Sequence, residues 1–266
     1  MQLQSLGYRT DLIFAGFDGE IIDRGSHLVV RSPTNPTFYW GNFLIFPSPP
    51  NVGDDKRWRQ LFMEEIGEPP SVKHQAFGWD SPSGDGIVQP FLDDGFHLVR
   101  NIVLKSAAPR QPKRVADFVD IRSLESDQDW EQAIDNQVLC REEGHDEASF
   151  RVFTERQMRR YREMSAAGKG DWFGAFVGDR LVADLGLFTD GTLGRYQSVE
   201  THPDFRRRGI AGTLVYKVGE HMMDKHGIGT LVIVAENDSD AARLYRTTGF
   251  EPVEPQWGLE WWESRE

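Results

Sequence analysis

Residues 201–212 read Thr201-His202-Pro203-Asp204-Phe205-Arg206-Arg207-Arg208-Gly209-Ile210-Ala211-Gly212. Ahead of them stands Tyr196-Gln197-Ser198-Val199-Glu200, a strand-like segment. Behind them Leu214, Val218 and Met222 recur every four residues with Val215 alongside, which makes one apolar helix face. The order strand, Arg/Gly loop, helix gathers unpaired backbone N–H groups, the positive end of a helix dipole and up to three guanidiniums at one place. It predicts an anion site. Gly209, Ala211 and Gly212 keep bulk away from the backbone amides, as close approach by a pyrophosphate requires. The dipole's share is modest, about 0.3–2 kcal/mol.

Working outward, composition bounds the rest. The chain has 266 residues, enough for two domains, with 27% charged and 39% hydrophobic residues, 8 Trp and 17 Phe, the make-up of a globular protein with a sizeable core. A net charge of −12 argues against a nucleic-acid partner, whose footprint is a basic excess, and an acidic surface tolerates cationic substrates. Cys140 is the single cysteine, so no disulfide framework exists and a reducing compartment fits; it reads as a small buried helix residue. No apolar run approaches membrane-spanning length and residues 1–10 lack the pattern of a signal peptide. A cytoplasmic protein without a membrane partner is expected. His221 and His226 are five apart and do not share a helix face, so no metal site is expected.

Along the chain, Tyr8 to Phe14, His27 to Arg31 and Phe38 to Phe46 read as strands, rich in aromatic and β-branched residues between Gly, Pro and Asn. A helix follows from Asp54, with Trp58, Leu61, Phe62 and Ile66 on one face. Lys73 to Trp79 and His97 to Lys105 are further strands, with a short helix between them over Gly86 to Asp94. Ser106 to Arg114, with two prolines and few apolar anchors, is the linker candidate, and divides the chain into 1–112 and 113–266 with net charges of −3 and −9. Beyond it come a strand over Phe118 to Leu124 and a helix opened by Ser126 and Asp129 like a capping box. A helix over Ala148 to Ala166 and two hairpins turning at Gly178-Asp179 and Asp190-Gly191 lead to the Arg/Gly loop and its helix. Leu231 to Ala235 is a strand, Asp238 or Ser239 caps a helix carrying Tyr245, and Phe250 to Trp262 is a final strand region. Trp257, Trp261 and Trp262 read as core or interface, and a homodimer is left open.

The loop contains neither G-x-x-x-x-G-K-[ST] nor G-x-G-x-x-G. Arg206-x-x-Gly209-x-Ala211 instead resembles the [Q/R]-x-x-G-x-[G/A] loop of the GNAT superfamily of N-acetyltransferases. Ala241-Ala242-Arg243-Leu244-Tyr245-Arg246-Thr247-Thr248-Gly249-Phe250 is similar to that family's second signature, A-x-x-L-Y-x-x-x-G-F. Together they cover roughly residues 115 to 262. The element order matches as well: strand, two helices, three antiparallel strands, helix, strand, helix, strand. The resemblance implies an α/β (α+β) GNAT fold, a mixed but mostly antiparallel sheet flanked by helices. A weaker echo in the first half, where Phe91 to Phe96 stands for Tyr245 to Phe250, suggests a tandem pair of GNAT-like halves. The first copy lacks the two N-terminal helices, and its Phe46 to Asp54 stands where the Arg/Gly loop belongs, so no cofactor is expected there.

The resemblance further implies acetyl-coenzyme A as co-substrate, with its pyrophosphate at Arg206, Arg207, Arg208, Gly209, Ile210, Ala211 and Gly212, and its pantetheine arm along Val199 to Thr201. The family's asparagine seven residues before the tyrosine is here Asp238, with Asn237 one residue early; either is a candidate cofactor contact. The acceptor is a primary amine on a small molecule or a protein. At neutral pH such an amine is about one part in a thousand neutral, which costs roughly 4 kcal/mol and calls for a base. Glu200 is the first candidate, with Glu236 in reserve, although one residue of register would turn Glu200 away. Tyr245, protonated at neutral pH, is the candidate acid for the departing thiolate. The competing readings are a non-catalytic acyl-CoA-binding or interaction module, and a transferase of longer acyl groups.

Overall fold

The computed structural model describes residues 1–141, 144 and 146–263. In chain order the elements are α1 (Leu6–Asp18), β1 (Glu20–Asp23), β2 (Leu28–Arg31), β3 (Phe43–Phe46), α2 (Asp54–Glu65), β4 (His74–Trp79), α3 (Gln89–Asp93) and β5 (His97–Ser106). Next come β6 (Asp120–Ser123), α4 (Asp127–Leu139), α5 (Glu147–Ala166), β7 (Gly170–Val177), β8 (Arg180–Thr189) and β9 (Leu193–Thr201). The chain ends with α6 (Ile210–His226), β10 (Thr230–Glu236), α7 (Asp240–Thr247) and β11 (Glu251–Trp262). It divides into two compact units, one of Met1–Val103, Ala235–Asn237 and Val253–Glu266, the other of Leu104–Val234 and Asp238–Pro252.

In the first unit the strands lie in the order β1-β2-β3-β4-β11-β5. β3 and β4 run parallel through Phe46↔Trp79, and the Asp80 N–H extends the pairing by donating to the Phe46 carbonyl at 2.8 Å. The chain's last strand returns to this sheet: β11 pairs antiparallel with β4 from Trp257↔Trp79 to Trp262↔His74. Trp257 and Trp261 pack against the core that Trp58, Phe62, Phe77 and Phe91 form. Phe46 and Trp58 stack face to face with centroids 3.8 Å apart.

Two strand expectations are corrected here. Tyr8 to Phe14 lies in helix α1, with Ser5 as N-cap accepting from the Tyr8 N–H. Its buried residues Gly7, Tyr8, Phe14 and Ala15 recur at helical spacing. The first half thus has one helix ahead of its strands. Of Phe38 to Phe46 only residues 43–46 are strand, because Tyr39–Gly41 make a 3₁₀ turn. Buried Asn42 holds that turn, donating to the carbonyls of Asn35 (3.0 Å) and Phe38 (2.8 Å) while accepting from the Ser32 N–H (2.9 Å).

In the second unit the order is β10-β9-β8-β7-β6. The antiparallel hairpins β7–β8 and β8–β9 form as the two turn dipeptides predict, and β10 runs parallel to β9. β8 is the centre of this sheet, buried from Leu181 to Thr189. Side chains alternate across a strand, so successive residues of β7 face opposite layers. Trp172 stacks on Tyr161 of α5 at 4.8 Å, whereas Phe173 meets His221 of α6 edge-on at 5.8 Å. Helices α4 and α5 therefore cover one face and α6 the other. The capping box at α4 is present, with Ser126 and Asp129 satisfying each other's backbone. The proline-containing stretch before β6 is fixed along this unit: Arg110 N–H donates to the Thr248 carbonyl at 2.8 Å and Ala116 N–H to Thr213 Oγ1 at 2.9 Å.

Strand-strand-strand-helix-strand-helix-strand occurs twice, as β1-β2-β3-α2-β4-α3-β5 and as β7-β8-β9-α6-β10-α7-β11. Each copy is preceded by a helix.

Candidate active site

β9 and β10 begin paired and then part. Their parallel register runs Leu193↔Thr230, Gly194↔Leu231 and Arg195↔Val232 and ends there, although both strands continue. The cause on β9 is local. Gly186 of β8 faces Gln197, while Asp184 faces Glu200, so Ser198 and Val199 together oppose one residue of β8. That is a β-bulge, and Ser198 takes it up with φ of +45°. A bulged strand bends, and the residues beyond it, Val199, Glu200 and Thr201, are half-buried at the fork.

From Thr201 the chain turns through His202 and a short 3₁₀ segment at Pro203–Phe205 into α6. Arg207 (φ +56°) and Gly209 (φ +85°) are both left-handed. Glycine is required at 209 for a second reason, since a Cβ there would stand 2.5 Å from the Arg114 carbonyl. Gly209 is the N-cap of α6 and supplies no side chain to it, which leaves the opening N–H groups of Ile210, Ala211 and Gly212 without a side-chain cap. Thr213 secures the turn by donating its hydroxyl to the Gly209 carbonyl at 2.8 Å. The three arginines differ in placement. Arg206 Nε donates to the Thr201 carbonyl at 3.1 Å and ties loop to strand. The Arg207 carbonyl accepts from Arg114 Nη1 at 2.6 Å. Arg208 lies over the Phe205 ring, 5.0 Å from its centroid. All three side chains are exposed.

Tyr245 sits on α7, which Ser239 caps by accepting from the Ala242 N–H. Its ring is 5% exposed and packs against Phe250, which in turn meets Tyr196. Burial first, and then the Glu200 carboxylate, push the Tyr245 phenol above its ordinary value, so it is protonated at neutral pH. Asp238 is left-handed (φ +64°) and its carbonyl accepts from Arg243 Nη1 at 2.6 Å. Asn237, in the first unit, donates its N–H to the Arg100 carbonyl at 3.1 Å.

Sequence reasoning missed the group behind the bulge. Asp184, fully buried, accepts from Asn136 Nδ2 (2.7 Å), Gln137 Nε2 (2.6 Å) and Trp172 Nε1 (3.0 Å). Burial drives its carboxyl up to about 7, against the pull of those donors. A charged residue inside the apolar run Leu181 to Phe188 was the available signal. Cys140, read as a buried helix residue, is half-buried, with its thiol 3.4 Å from the Thr201 carbonyl. Burial and the Glu200 charge push that thiol up to about 12, so it is not a thiolate at neutral pH. Among the described residues no cluster of His, Cys, Asp and Glu could hold a metal ion, and no helix is long and apolar enough to cross a membrane.

The arrangement can receive an extended chain against β9, an anion at the start of α6, and proton donors and acceptors at Tyr245 and Glu200. Residues 130–250 match the model of the Acetyltransferase (GNAT) family. No curated protein matches the chain. Among solved structures, a functionally unknown conserved protein from Staphylococcus epidermidis superposes with a TM-score of 0.71 at 13% identity, covering 91% of this chain and 94% of that one. A GCN5-related N-acetyltransferase from Kribbella flavida gives 0.63 at 13% identity, covering 97% and 96%. A tandem GNAT protein from the clavulanic acid biosynthesis pathway gives 0.54 at 12% identity, covering 96% and 88%. At such identities the likeness is one of fold, and it extends over nearly the whole chain. The second half of the chain thus carries the match to the Acetyltransferase (GNAT) family, and the strands and helices of the chain have the fold of GNAT proteins.

Proposed function

We propose that this protein transfers an acetyl group from acetyl-coenzyme A to a primary amine by direct attack of the amine on the thioester. The observation that carries the reading is the fork at Arg195 and Val232, which opens beside a bulged β9 and leads into the uncapped start of α6. The pantetheine arm lies along Val199 to Thr201 as an added strand, and the pyrophosphate meets the N–H groups of Ile210, Ala211 and Gly212. Arg206, Arg207 and Arg208 supply positive charge around it. Asp238 is the remaining cofactor contact of the proposal.

Glu200 accepts the ammonium proton and Tyr245 donates to the sulfur as negative charge develops there. Cys140, protonated at neutral pH, is a poor nucleophile, which supports direct attack over an acyl-cysteine. The first unit takes no cofactor in this account. Its β3 and β4 stay paired through Phe46↔Trp79, and Trp58 of α2 stacks on Phe46. No metal takes part, and the reaction belongs to the cytoplasm.

The test is release of free coenzyme A thiol from acetyl-CoA in the presence of a panel of small cationic amines and peptide N-termini. Amine-dependent release, abolished by Gly209→Glu, is expected. Binding of acetyl-CoA without release on any amine would favour a non-catalytic acyl-CoA module; release only from longer thioesters would change the donor.

A further inference from the structure

We propose that Asp184 and Gln137 are positioning residues for the β9 bulge: the buried carboxylate fixes the Gln137 carboxamide, which holds the Ser198 carbonyl and so aims the backbone of residues 199–201. The inference deepens the acetyl-CoA reading and rests on it for its functional consequence, but the brace itself is a statement about this fold.

The geometry runs as a chain of hydrogen bonds. Gln137 Nε2 donates both to Asp184 Oδ1 at 2.6 Å and to the Ser198 carbonyl at 3.0 Å. Both partners are acceptors, so the amide orientation is fixed; a flipped carboxamide would set oxygen against two oxygens. Ser198 needs the support, because a non-glycine residue at φ +45° is strained and persists only where its surroundings hold it. Asp184 in turn is held by Asn136 Nδ2 and Trp172 Nε1. An indole N–H can only donate, so three donors converge on a group that must accept from all of them. An ionised carboxylate accepts from all three with no proton left over, whereas a carboxamide in its place would turn an N–H towards one of the donors. Asp184 is also the ladder partner of Glu200 across the bulge, and directly opposed residues share one face of the sheet. The brace therefore sets which way Glu200 points, towards the layer of α4. Farther along, Cys140 and Arg206 both bond the Thr201 carbonyl and close the far end of the same segment.

The experiment compares the wild type with Gln137→Leu, Gln137→Glu and Asp184→Asn in mildly alkaline buffer, where Asp184 is ionised. Two quantities are read. Amide hydrogen exchange is measured at residues 198–201 and, as a reference, along α4. Calorimetric affinity is measured for acetyl-CoA and for coenzyme A, which lacks the thioester carbonyl. The brace predicts that Gln137→Leu accelerates exchange at 198–201 by about tenfold, as loss of one supported hydrogen bond would, while α4 is unchanged. It predicts the same loss of acetyl-CoA affinity relative to coenzyme A in Gln137→Leu and Asp184→Asn, with coenzyme A affinity itself retained. Gln137→Glu, which sets a second carboxylate against Asp184, is expected to behave like Gln137→Leu. Unaltered exchange at 198–201 in all three variants would overturn the proposal. So would an unaltered ratio of acetyl-CoA to coenzyme A affinity. A wild type that binds neither compound would sink the acetyl-CoA reading, and the exchange measurement would still decide the brace.

Discussion

Glu200 stands directly opposite Asp184 in the β8–β9 ladder, on the far side of a bulge that puts Ser198 in the left-handed region. One carboxylate is half-buried at the fork and the other is fully buried behind it, bonded to three donors. Their difference in environment fits the different work proposed for them, proton transfer at the fork for Glu200 and support of the strand for Asp184.

Glu200→Gln removes the proposed base while keeping the shape of the side chain. Turnover with a saturating amine is expected to fall about 10²-fold, with acetyl-CoA affinity unchanged. The decrease should be smaller with amines that are already neutral at the assay pH. Steady-state kinetics against calorimetric affinity checks this, and an unchanged rate would remove Glu200 from the mechanism.

Tyr245→Phe keeps the ring against Phe250 and deletes the hydroxyl. We expect turnover to drop about tenfold or more with cofactor affinity spared, since in the proposed mechanism the phenol acts only as the sulfur acquires charge. Because burial and Glu200 both raise this phenol, its ionisation should not limit the rate on the alkaline side of neutrality. A rate equal to wild type would mean the thiolate is protonated by water or leaves as the anion.

Asp184 makes a pH-dependent contribution whose sign follows from its raised carboxyl, lifted from 3.8 to about 7 by burial. Between those values the folded chain keeps a proton that the unfolded chain has released. Stability from this group is therefore full below about pH 4 and is lost as the pH rises through about 7, by up to roughly 4 kcal/mol. The thermal midpoint of the wild type should fall more steeply than that of Asp184→Asn over this window. Parallel profiles would contradict it.

Asp129 works in the opposite direction and serves as a control away from the fork. Arg122 grips it with two 2.8 Å hydrogen bonds, and it closes the capping box of α4, so its carboxyl lies well below the usual range. Its stabilisation is present at neutral pH and is lost as the pH falls. Asp129→Ala should cost about 1–2 kcal/mol in chemical denaturation, at the scale of a lost cap, without changing acetyl-CoA affinity. A loss of affinity would mean that α4 transmits to the fork more than Gln137 does.

The sequence made much of this visible where local chemistry decides the outcome. The Arg/Gly loop with its helix, the Ser239-capped helix of Tyr245, both hairpins and the Ser126/Asp129 box follow from residues within a few positions of each other. What stayed hidden depends on distant partners. Tyr8 to Phe14 has strand-like composition, yet Tyr8 donates its hydroxyl to the Trp257 carbonyl, and a Cβ at Gly7 would collide with Gln256. A helix face shaped to a strand some 250 positions later leaves no local trace. Asp184 was unreadable for a related reason: its meaning comes from Asn136 and Gln137 on α4, and from a bulge that shifts β9 by one residue. That shift is what alternation alone could not resolve for Glu200.

Calorimetric titration of the wild type with acetyl-CoA beside Gly209→Glu decides whether the cofactor binds at the fork with its pyrophosphate on α6. A glutamate at 209 would strain the left-handed turn, press against the Arg114 carbonyl and set a negative charge at the helix start. Micromolar binding to the wild type is expected, lost in the variant while the variant remains folded by circular dichroism. Equal binding by both proteins, or none by the wild type, would contradict it.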